Sequence, residues 1–190
     1  MTNGKTAGRI SIILAVAVVI TAAGAAILDQ RSSGAPIEPM MTSERHLARI
    51  DTALASHDLR TARDVVRDAY AAAVTSRRWE PLLRVGDAQR RVEEASGYPT
   101  LGKANARANY LSALFRARDQ RSLDGVLQAA DAFSRLGDAS VVRQALVVAR
   151  DVAGRDPVAH ARVDIAAEEL GARLASADGP EHNDGSGAFR

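Results

Sequence analysis

Cysteine is absent from the 190 residues, and lysine and aromatic residues are scarce. Without cysteine the chain has no disulfide, no thiolate metal site, no cysteine nucleophile and no acylated lipoprotein cysteine. Phe, Trp and Tyr make 4% of the chain, and few β-branched residues follow the N-terminal apolar run, which argues against a β-sandwich or barrel. The basic residues other than Lys5 and Lys103 are all arginine.

Alanine is the commonest residue of the chain. Alanine loses no side-chain entropy in a helix, and leucine and arginine lose little, so the composition predicts an all-α protein of one modest domain. The Arg/Ala-rich, Lys-poor composition also suggests a bacterial protein from a GC-rich genome. The formal charge is only +2, so the chain is not a polycation and we expect no nucleic-acid partner.

The longest apolar run lies close to the N-terminus. Lys5 and Arg9 precede an uncharged segment, residues 10–28, that ends at Asp29. As a helix it would span roughly 28 Å, close to the thickness of the hydrocarbon layer, and its basic flank predicts a cytoplasmic N-terminus, residues 1–9, with the rest exported. The alternative is a cleaved signal peptide with its cleavage site at Ala23-Gly24-Ala25. Apolar residues continue beyond that site, which favours a retained signal-anchor in the cell membrane.

Breaker-rich segments flank the central part of the chain. Residues 29–42 contain Pro36 and Pro39 and predict a linker. Residues 177–190 are polar and rich in Gly, which predicts a disordered tail. The helical domain is therefore expected over residues 43–176, exposed on the periplasmic or extracellular side.

Seven helical segments are predicted between these boundaries from caps and breakers. Helix starts are predicted at Ser43, Asp58, Pro81, Thr100, Ser122, Asp138 and Asp156-Pro157, and stops at Gly97-Pro99, Gly137 and Gly154. The faces predicted to be buried are Leu47, Ile50 and Leu54; Ala62, Val65, Val66, Ala69, Tyr70 and Ala73; Leu82, Val85, Ala88, Val92 and Ala95; Ala104, Ala108, Leu111 and Phe115; Val126, Ala129, Ala130 and Phe133; Val142, Ala145, Leu146 and Ala149; and Val158, Ala161, Ile165 and Leu174. Tyr110 is expected at the rim.

The helices pair into hairpins that recur along the chain. The turn residues Asp58, Gly97 and Gly137 follow one another at nearly equal steps of about 40 positions, a period typical of helical-hairpin arrays. The third hairpin resembles the tetratricopeptide repeat (TPR) in the spacing of Val126, Ala129, Ala130, Phe133, Gly137, Val142, Leu146 and Ala149. The first hairpin places Leu47, Ile50, Asp51, Leu54, Asp58, Ala62, Val66 and Ala69 in the same frame, with Asp51 and Asp58 departing from it.

The resemblance covers roughly residues 43–154, and the family period of 34 is shorter than the steps here, so HEAT-type helix pairs remain an alternative. It implies a short right-handed superhelix of about three antiparallel hairpins plus a closing helix, which binds proteins or peptides and has no catalytic activity. We find no spacing typical of catalytic, cofactor or metal-binding residues, because the four histidines lie far apart and Glu93-Glu94 and Glu168-Glu169 are adjacent pairs. We therefore expect no enzymatic activity and no cofactor.

Two groups of residues are candidates for partner binding. Arg77, Arg78 and Trp79 join the first and second hairpins, and Trp and Arg are enriched at binding hot spots; the alternative is a Trp packed between repeats. Residues 43–121 carry a net charge of +5, against −2 for residues 122–176 and −2 for the tail. The resemblance places the partner surface on the first helices of the hairpins, where the basic candidates are Arg45, Arg49, Arg84 and Arg91. An acidic protein or peptide partner is expected, unless this charge is simply solvated surface.

The sequence therefore predicts a membrane-anchored helical-repeat scaffold for protein–protein interaction at the cell envelope. The alternatives are a cleaved, soluble exported module of the same fold, or an accessory subunit of an envelope enzyme complex.

Overall fold

The structure is a computed structural model that describes residues 37–177, and the side chains of residues 44–176. This part of the chain forms seven α-helices and contains no strand. The helices are α1 (Ile37–Ala55), α2 (Leu59–Thr75), α3 (Glu80–Ala95), α4 (Pro99–Asp119), α5 (Leu123–Leu136), α6 (Ala139–Ala153) and α7 (Pro157–Ala177). The predicted all-α fold is confirmed.

Three of the seven predicted helix starts are confirmed by side-chain caps. Asp58 accepts a hydrogen bond from the backbone N–H of Thr61 at 3.0 Å, and Ser122 accepts one from Gly125 at 3.1 Å. Asp138 caps α6 through Val141 in the same way. Thr100 is not a cap, because α4 begins at Pro99, whose missing N–H costs nothing at a first helical position.

The first helix differs from its predicted bounds. It begins at Ile37 and not at Ser43, so that residues 37–42, assigned above to the linker, are helical. Pro39 occupies the first turn, where a backbone N–H has no partner within the helix, and it therefore does not interrupt the helix. Residues 29–36 of the predicted linker and residues 178–190 of the predicted tail lie outside the described part of the chain.

One turn geometry recurs in all three hairpins. His57, Gly97 and Gly137 have φ values of 57°, 83° and 78°, in the left-handed region. In each case the next residue donates its N–H to the carbonyl five residues back, at 2.8 Å, 2.8 Å and 3.1 Å, which is a Schellman motif. The two intervals between these turn residues are equal, so the repeat is regular. The alignment of the sequence took Asp58 as the turn residue of the first hairpin, which is one position after His57.

The helices pack in two interleaved sets, which we call the odd helices (α1, α3, α5, α7) and the even helices (α2, α4, α6). From α2 onward each helix packs against the next, and α3 with α5, α4 with α6 and α5 with α7 also touch. Contacts between alternate helices are typical of stacked hairpins. The described chain is thus a helical-repeat-like all-α structure, consistent with a TPR-like fold.

The core consists of small aliphatic residues around a few large ones. The predicted faces of α5 and α6 are buried throughout, and Phe133 is fully buried with its ring edge-on to that of Tyr110 at 5.8 Å. Among the first three helices, two predicted core residues lie outside the core, since Tyr70 of α2 and Ala95 of α3 are exposed.

The buried face of α4 was predicted wrongly. Phe115 is 52% exposed, whereas Tyr110 is 1% exposed. Ala104 and Ala108 are also exposed, and Leu111 is half-buried. Apolar residues lie on both sides of α4, so the pattern of the sequence does not select one face. The hydroxyl of the buried Tyr110 is satisfied, since it donates to Asp87.

The buried face of α7 was also predicted wrongly. Val158 and Ile165 are 68% and 58% exposed and Ala161 is exposed, while Val163 and Leu170 are buried and Leu174 is half-buried. Like α4, this helix carries apolar residues on two sides.

None of the described helices combines the length and the apolar character needed to span a bilayer. The predicted transmembrane segment, residues 10–28, lies outside the described part of the chain.

Candidate binding surfaces

The corner between the first and second hairpins is a packed joint. Trp79 is only 8% exposed and lies against α5, where a Cβ at Gly125 would be 2.7 Å from the indole ring. The same added atom would be 2.6 Å from Cβ of Ala117, so that only glycine fits between the ring and α4. This burial favours packing between repeats over partner docking as the role of Trp79.

The two arginines of the same corner remain at the surface. Arg77 is exposed and takes a left-handed conformation with φ of 56°. Arg78 forms a bidentate ion pair with Glu80, which raises the pKa of the guanidinium through the hydrogen bond and the opposite charge. Only Arg77 of the predicted corner therefore presents its side chain without an ion pair among the described residues.

Arg116 holds this corner together, and no pattern in the sequence pointed to it. Its guanidinium donates to the carbonyls of Ala73, Val74 and Arg78 at 3.1–3.2 Å. Gln120 adds a hydrogen bond to the carbonyl of Arg77 at 2.8 Å. Carbonyls at a helix C-terminus lack partners within the helix and attract cations, so α4 caps the end of α2 although the two are distant in the sequence.

The basic candidates on the odd helices α1 and α3 are partly neutralised within the chain. Arg84 pairs with Glu44 and Arg91 pairs with Asp51, each at 2.8 Å between nitrogen and oxygen. Both pairs join α3 to α1, and both are about half exposed. Arg45 and Arg49 are exposed on α1 and form no ion pair with any residue whose side chain the structure describes.

Similar pairs continue along the remaining odd helices. Arg135 of α5 reaches Asp87 of α3 at 3.6 Å. Arg162 and Arg173 of α7 pair with Asp124 and Asp131 of α5, and Arg173 also donates to Ser134 at 2.8 Å. Arginine–carboxylate pairs thus connect α1, α3, α5 and α7 in series. The partners belong to successive repeats, so no local sequence pattern reveals them.

The charge differs between the two sets of helices. Each odd helix has a formal charge of −1, whereas α2, α4 and α6 carry +1, +3 and +1. The resemblance to the tetratricopeptide repeat, together with the charge gradient along the sequence, predicted a basic surface on the first helices of the hairpins. In the folded chain the excess of positive charge belongs to the even helices.

Buried polar side chains between α3 and α4 are satisfied by one another. Asn109 donates to Oε1 of Gln89 at 2.8 Å, and the Tyr110 hydroxyl donates to Oδ1 of Asp87 at 2.6 Å. Burial, and then the hydrogen bond to Asp87, raise the pKa of Tyr110 well above its ordinary value. A phenol held neutral by these partners positions the two helices.

Two exposed apolar stripes lie on the outer sides of α4 and α7. The α4 stripe consists of Leu101, Ala104, Ala108, Leu111 and Phe115. The α7 stripe consists of Val158, Ala161, Ile165 and Ala172. Most of these residues were predicted as core. The structure leaves most of them exposed along one face of each helix.

Comparison with known proteins gives no relative, since no family model, curated protein or solved structure matches this chain. Within the described residues no three His, Cys, Asp or Glu side chains come together as a group that could hold a metal ion. The candidate sites are therefore surfaces, and their character rests on the chain's own geometry.

Proposed function

We propose that this protein is a non-catalytic scaffold that binds protein partners at the cell envelope. In this proposal the hairpins form a short right-handed TPR-like superhelix, residues 10–28 anchor it in the membrane, and the helical domain lies on the exported side. The observation that carries the proposal is the evenly spaced helical hairpin, repeated three times. Arrays of this kind build extended surfaces from stacked helices.

The distribution of charge supports a division of labour between the two sets of helices. Arginines of the odd helices bind carboxylates of neighbouring repeats, as Arg84 does with Glu44. On the even helices, basic residues such as Lys103 and Arg143 are exposed and have no ion pair among the described residues. An acidic partner meets less internal competition there than at Arg84 or Arg91, which would have to leave their own carboxylates.

Site-specific photo-crosslinking in cells tests the scaffold proposal. A photoreactive residue replaces Arg45 on α1, or Arg143 on α6, and the captured proteins are identified by mass. The same residue at Arg155, in the turn between α6 and α7, is the matched control. We expect one protein to be captured from a helical surface and not from the control. Capture of no protein at either helix would refute the scaffold.

The anchor is a separate part of the proposal with its own test. N-terminal analysis of the chain in the membrane fraction should find residues 1–28 intact. A mature chain that begins near Ala26 would instead support the soluble exported module, because cleavage at Ala23-Gly24-Ala25 removes most of the apolar run.

A further inference from the structure

The α4 stripe has the spacing of a helix-packing seam. Its residues, at positions 101, 104, 108, 111 and 115, follow one another at intervals of 3, 4, 3 and 4. This is the heptad spacing of surfaces that pack against another helix. Leu101 is 49% exposed and Phe115 is 52% exposed, so no described part of the same chain covers the two ends of the stripe, while Leu111 is half-buried against the core.

The edges of the α4 stripe are basic. Lys103, Arg107 and Arg118 are all exposed, and Asp119 is the single acidic residue of the helix. Arg107 pairs with Asp138, and Arg118 pairs with Asp119 while its guanidinium lies 5.5 Å from the Phe115 ring centroid. An apolar seam on a helix with a charge of +3 is complementary to an amphipathic helix of opposite charge.

The α7 stripe matches that description. Val158, Ala161, Ile165 and Ala172 fall on one heptad frame, with Glu168 at the remaining position. Asp164, Glu168 and Glu169 are all exposed on this side of the chain. Asp164 pairs with Arg150 of α6 at 3.4 Å, so Glu168 and Glu169 give this side its acidic character. Within one chain α4 and α7 do not pack against each other, so the two stripes of one molecule stay apart.

We propose that the α4 stripe of one copy of this protein binds the α7 stripe of a second copy. Leu101, Leu111 and Phe115 would pack against Val158 and Ile165 of the other copy. Ala108 at the centre of the α4 stripe, and Ala161 beside Ile165 on α7, let the helix axes approach to about 8–10 Å. The acidic residues of α7 would lie near Lys103 and the arginines of α4, and this complementarity selects α7 over a second α4, which is itself basic.

This contact is heterologous, since each molecule contributes a different surface. Every copy carries one α4 stripe and one α7 stripe, so one contact leaves both end molecules able to bind again. Such contacts generate a ring if the rotation closes and a linear array if it does not. This inference goes beyond the scaffold function, because the scaffold could act as a single molecule.

The absence of cysteine gives a clean test with the full-length chain in its own membranes. Ala108→Cys and Ile165→Cys place one thiol near the centre of each stripe, so a contact is detected whichever way the helices run. Treatment with a short bis-maleimide should produce a ladder of dimers, trimers and longer products from the double variant. Each single variant should stay monomeric, because the thiol of one copy then has no thiol opposite it on the other copy.

The controls separate this contact from other occupants. Val147→Cys with Ile165→Cys has the same number of exposed thiols, but Val147 lies on α6 outside both stripes, so it should give no ladder. Dimers from Ala108→Cys alone would mean that α4 pairs with α4 and would overturn the proposal. A double variant that gives no more product than the Val147 control would overturn it as well.

Charge reversal tests the choice of partner. Glu168→Lys with Glu169→Lys, added to the double-cysteine chain, should reduce the ladder roughly tenfold. These positions are exposed, so the melting curve followed by circular dichroism should stay unchanged. A ladder of undiminished intensity would overturn the charge complementarity on which α7 was chosen.

Discussion

The odd and even helices use arginine in different ways. On α1, α3, α5 and α7 most arginines bind a carboxylate of the neighbouring odd helix, as in the pairs Arg91–Asp51 and Arg135–Asp87. Arginine and lysine outnumber acidic residues on α2, α4 and α6. Exposed apolar residues accompany this positive charge, including Phe115 and Val147.

The difference shows that composition alone does not identify a binding surface. Arg84 and Arg91 have the sequence features of a basic docking face, yet in the fold they join one repeat to the next. What decides their role is a carboxylate on the adjacent hairpin, one full repeat away in the sequence. The arginines of the odd helices therefore join one repeat to the next, whereas on the even helices Lys103 and Arg143 are exposed basic residues with no ion pair among the described residues.

The largest expected contrast is between two phenylalanines. Phe133 on α5 is fully buried, so Phe133→Ala should lower the free energy of unfolding by about 3–5 kcal/mol. Phe115→Ala on α4 should cost less than about 1 kcal/mol, since half of this side chain already meets water. Urea denaturation followed by circular dichroism measures both. Equal losses would show that the outer face of α4 is covered.

Two glycines test how tightly the sets of helices interlock. Gly125→Ala should destabilise the protein by about 1–3 kcal/mol, because its Cβ would meet Ala117 and the Trp79 ring at 2.6–2.7 Å. Gly171→Ala, on α7, meets nothing within 4 Å and should stabilise it by up to about 1 kcal/mol through helix propensity. Thermal unfolding should show a lower melting temperature for Gly125→Ala and a higher one for Gly171→Ala. A Gly125→Ala variant that melts at the parent's temperature would show that the contact with Trp79 and Ala117 is not tight.

The ion pair of Arg107 on α4 with Asp138 at the start of α6 predicts that the free energy of unfolding depends on pH. Burial raises the pKa of Asp138, but hydrogen bonds from Arg107, Ser140 and the Val141 N–H together lower it by more, so the net pKa lies below its ordinary value. A lowered carboxyl pKa stabilises the fold at neutral pH, and this contribution is lost as pH falls below about 4.

The variants Asp138→Asn and Asp138→Ala separate charge from capping. Asp138→Asn retains a capping oxygen and should remove only the pH-dependent part. Asp138→Ala should also lose about 1 kcal/mol of capping at pH 7. An Asn variant with the full acid sensitivity of the parent protein would assign that sensitivity to other carboxylates.

The smallest expected effect is the difference in stability between losing an arginine of an odd helix and losing one of an even helix. Arg173→Ala removes the donor to Ser134 Oγ and one of the two guanidinium partners of Asp131, which keeps Arg135, and should cost about 0.5–1 kcal/mol at low salt. Arg143→Ala on α6 has no such partner among the described residues and should change stability by less than about 0.5 kcal/mol. The difference should shrink as salt is added, because both sites are solvent-exposed. A larger loss at Arg143 would reverse the comparison.

The sequence was informative wherever the physical cause is local. Caps at Asp58, Ser122 and Asp138 and stops at Gly97, Gly137 and Gly154 follow from the conformations these residues favour, and all appear in the fold. The faces of α5 and α6 were also predicted, since each has one apolar side.

The remaining features depend on residues far apart in the chain. The buried sides of α4 and α7 were missed because both helices are apolar on two sides, and only packing against neighbours chooses between them. The ion pairs of Arg84 and Arg173, and the capping of α2 by Arg116, join residues of different hairpins. The residues of the apolar stripes were recognised in the sequence, but most of them were predicted to be buried in the core.

The regular turn at His57, Gly97 and Gly137 has a mechanical consequence. Each repeat that comes away from a stack under tension releases about 130–140 Å of extended chain. Pulled between its ends, the array should therefore lengthen in equal increments, each the length of one repeat. The length of the stretched chain would then show how many hairpins remain folded.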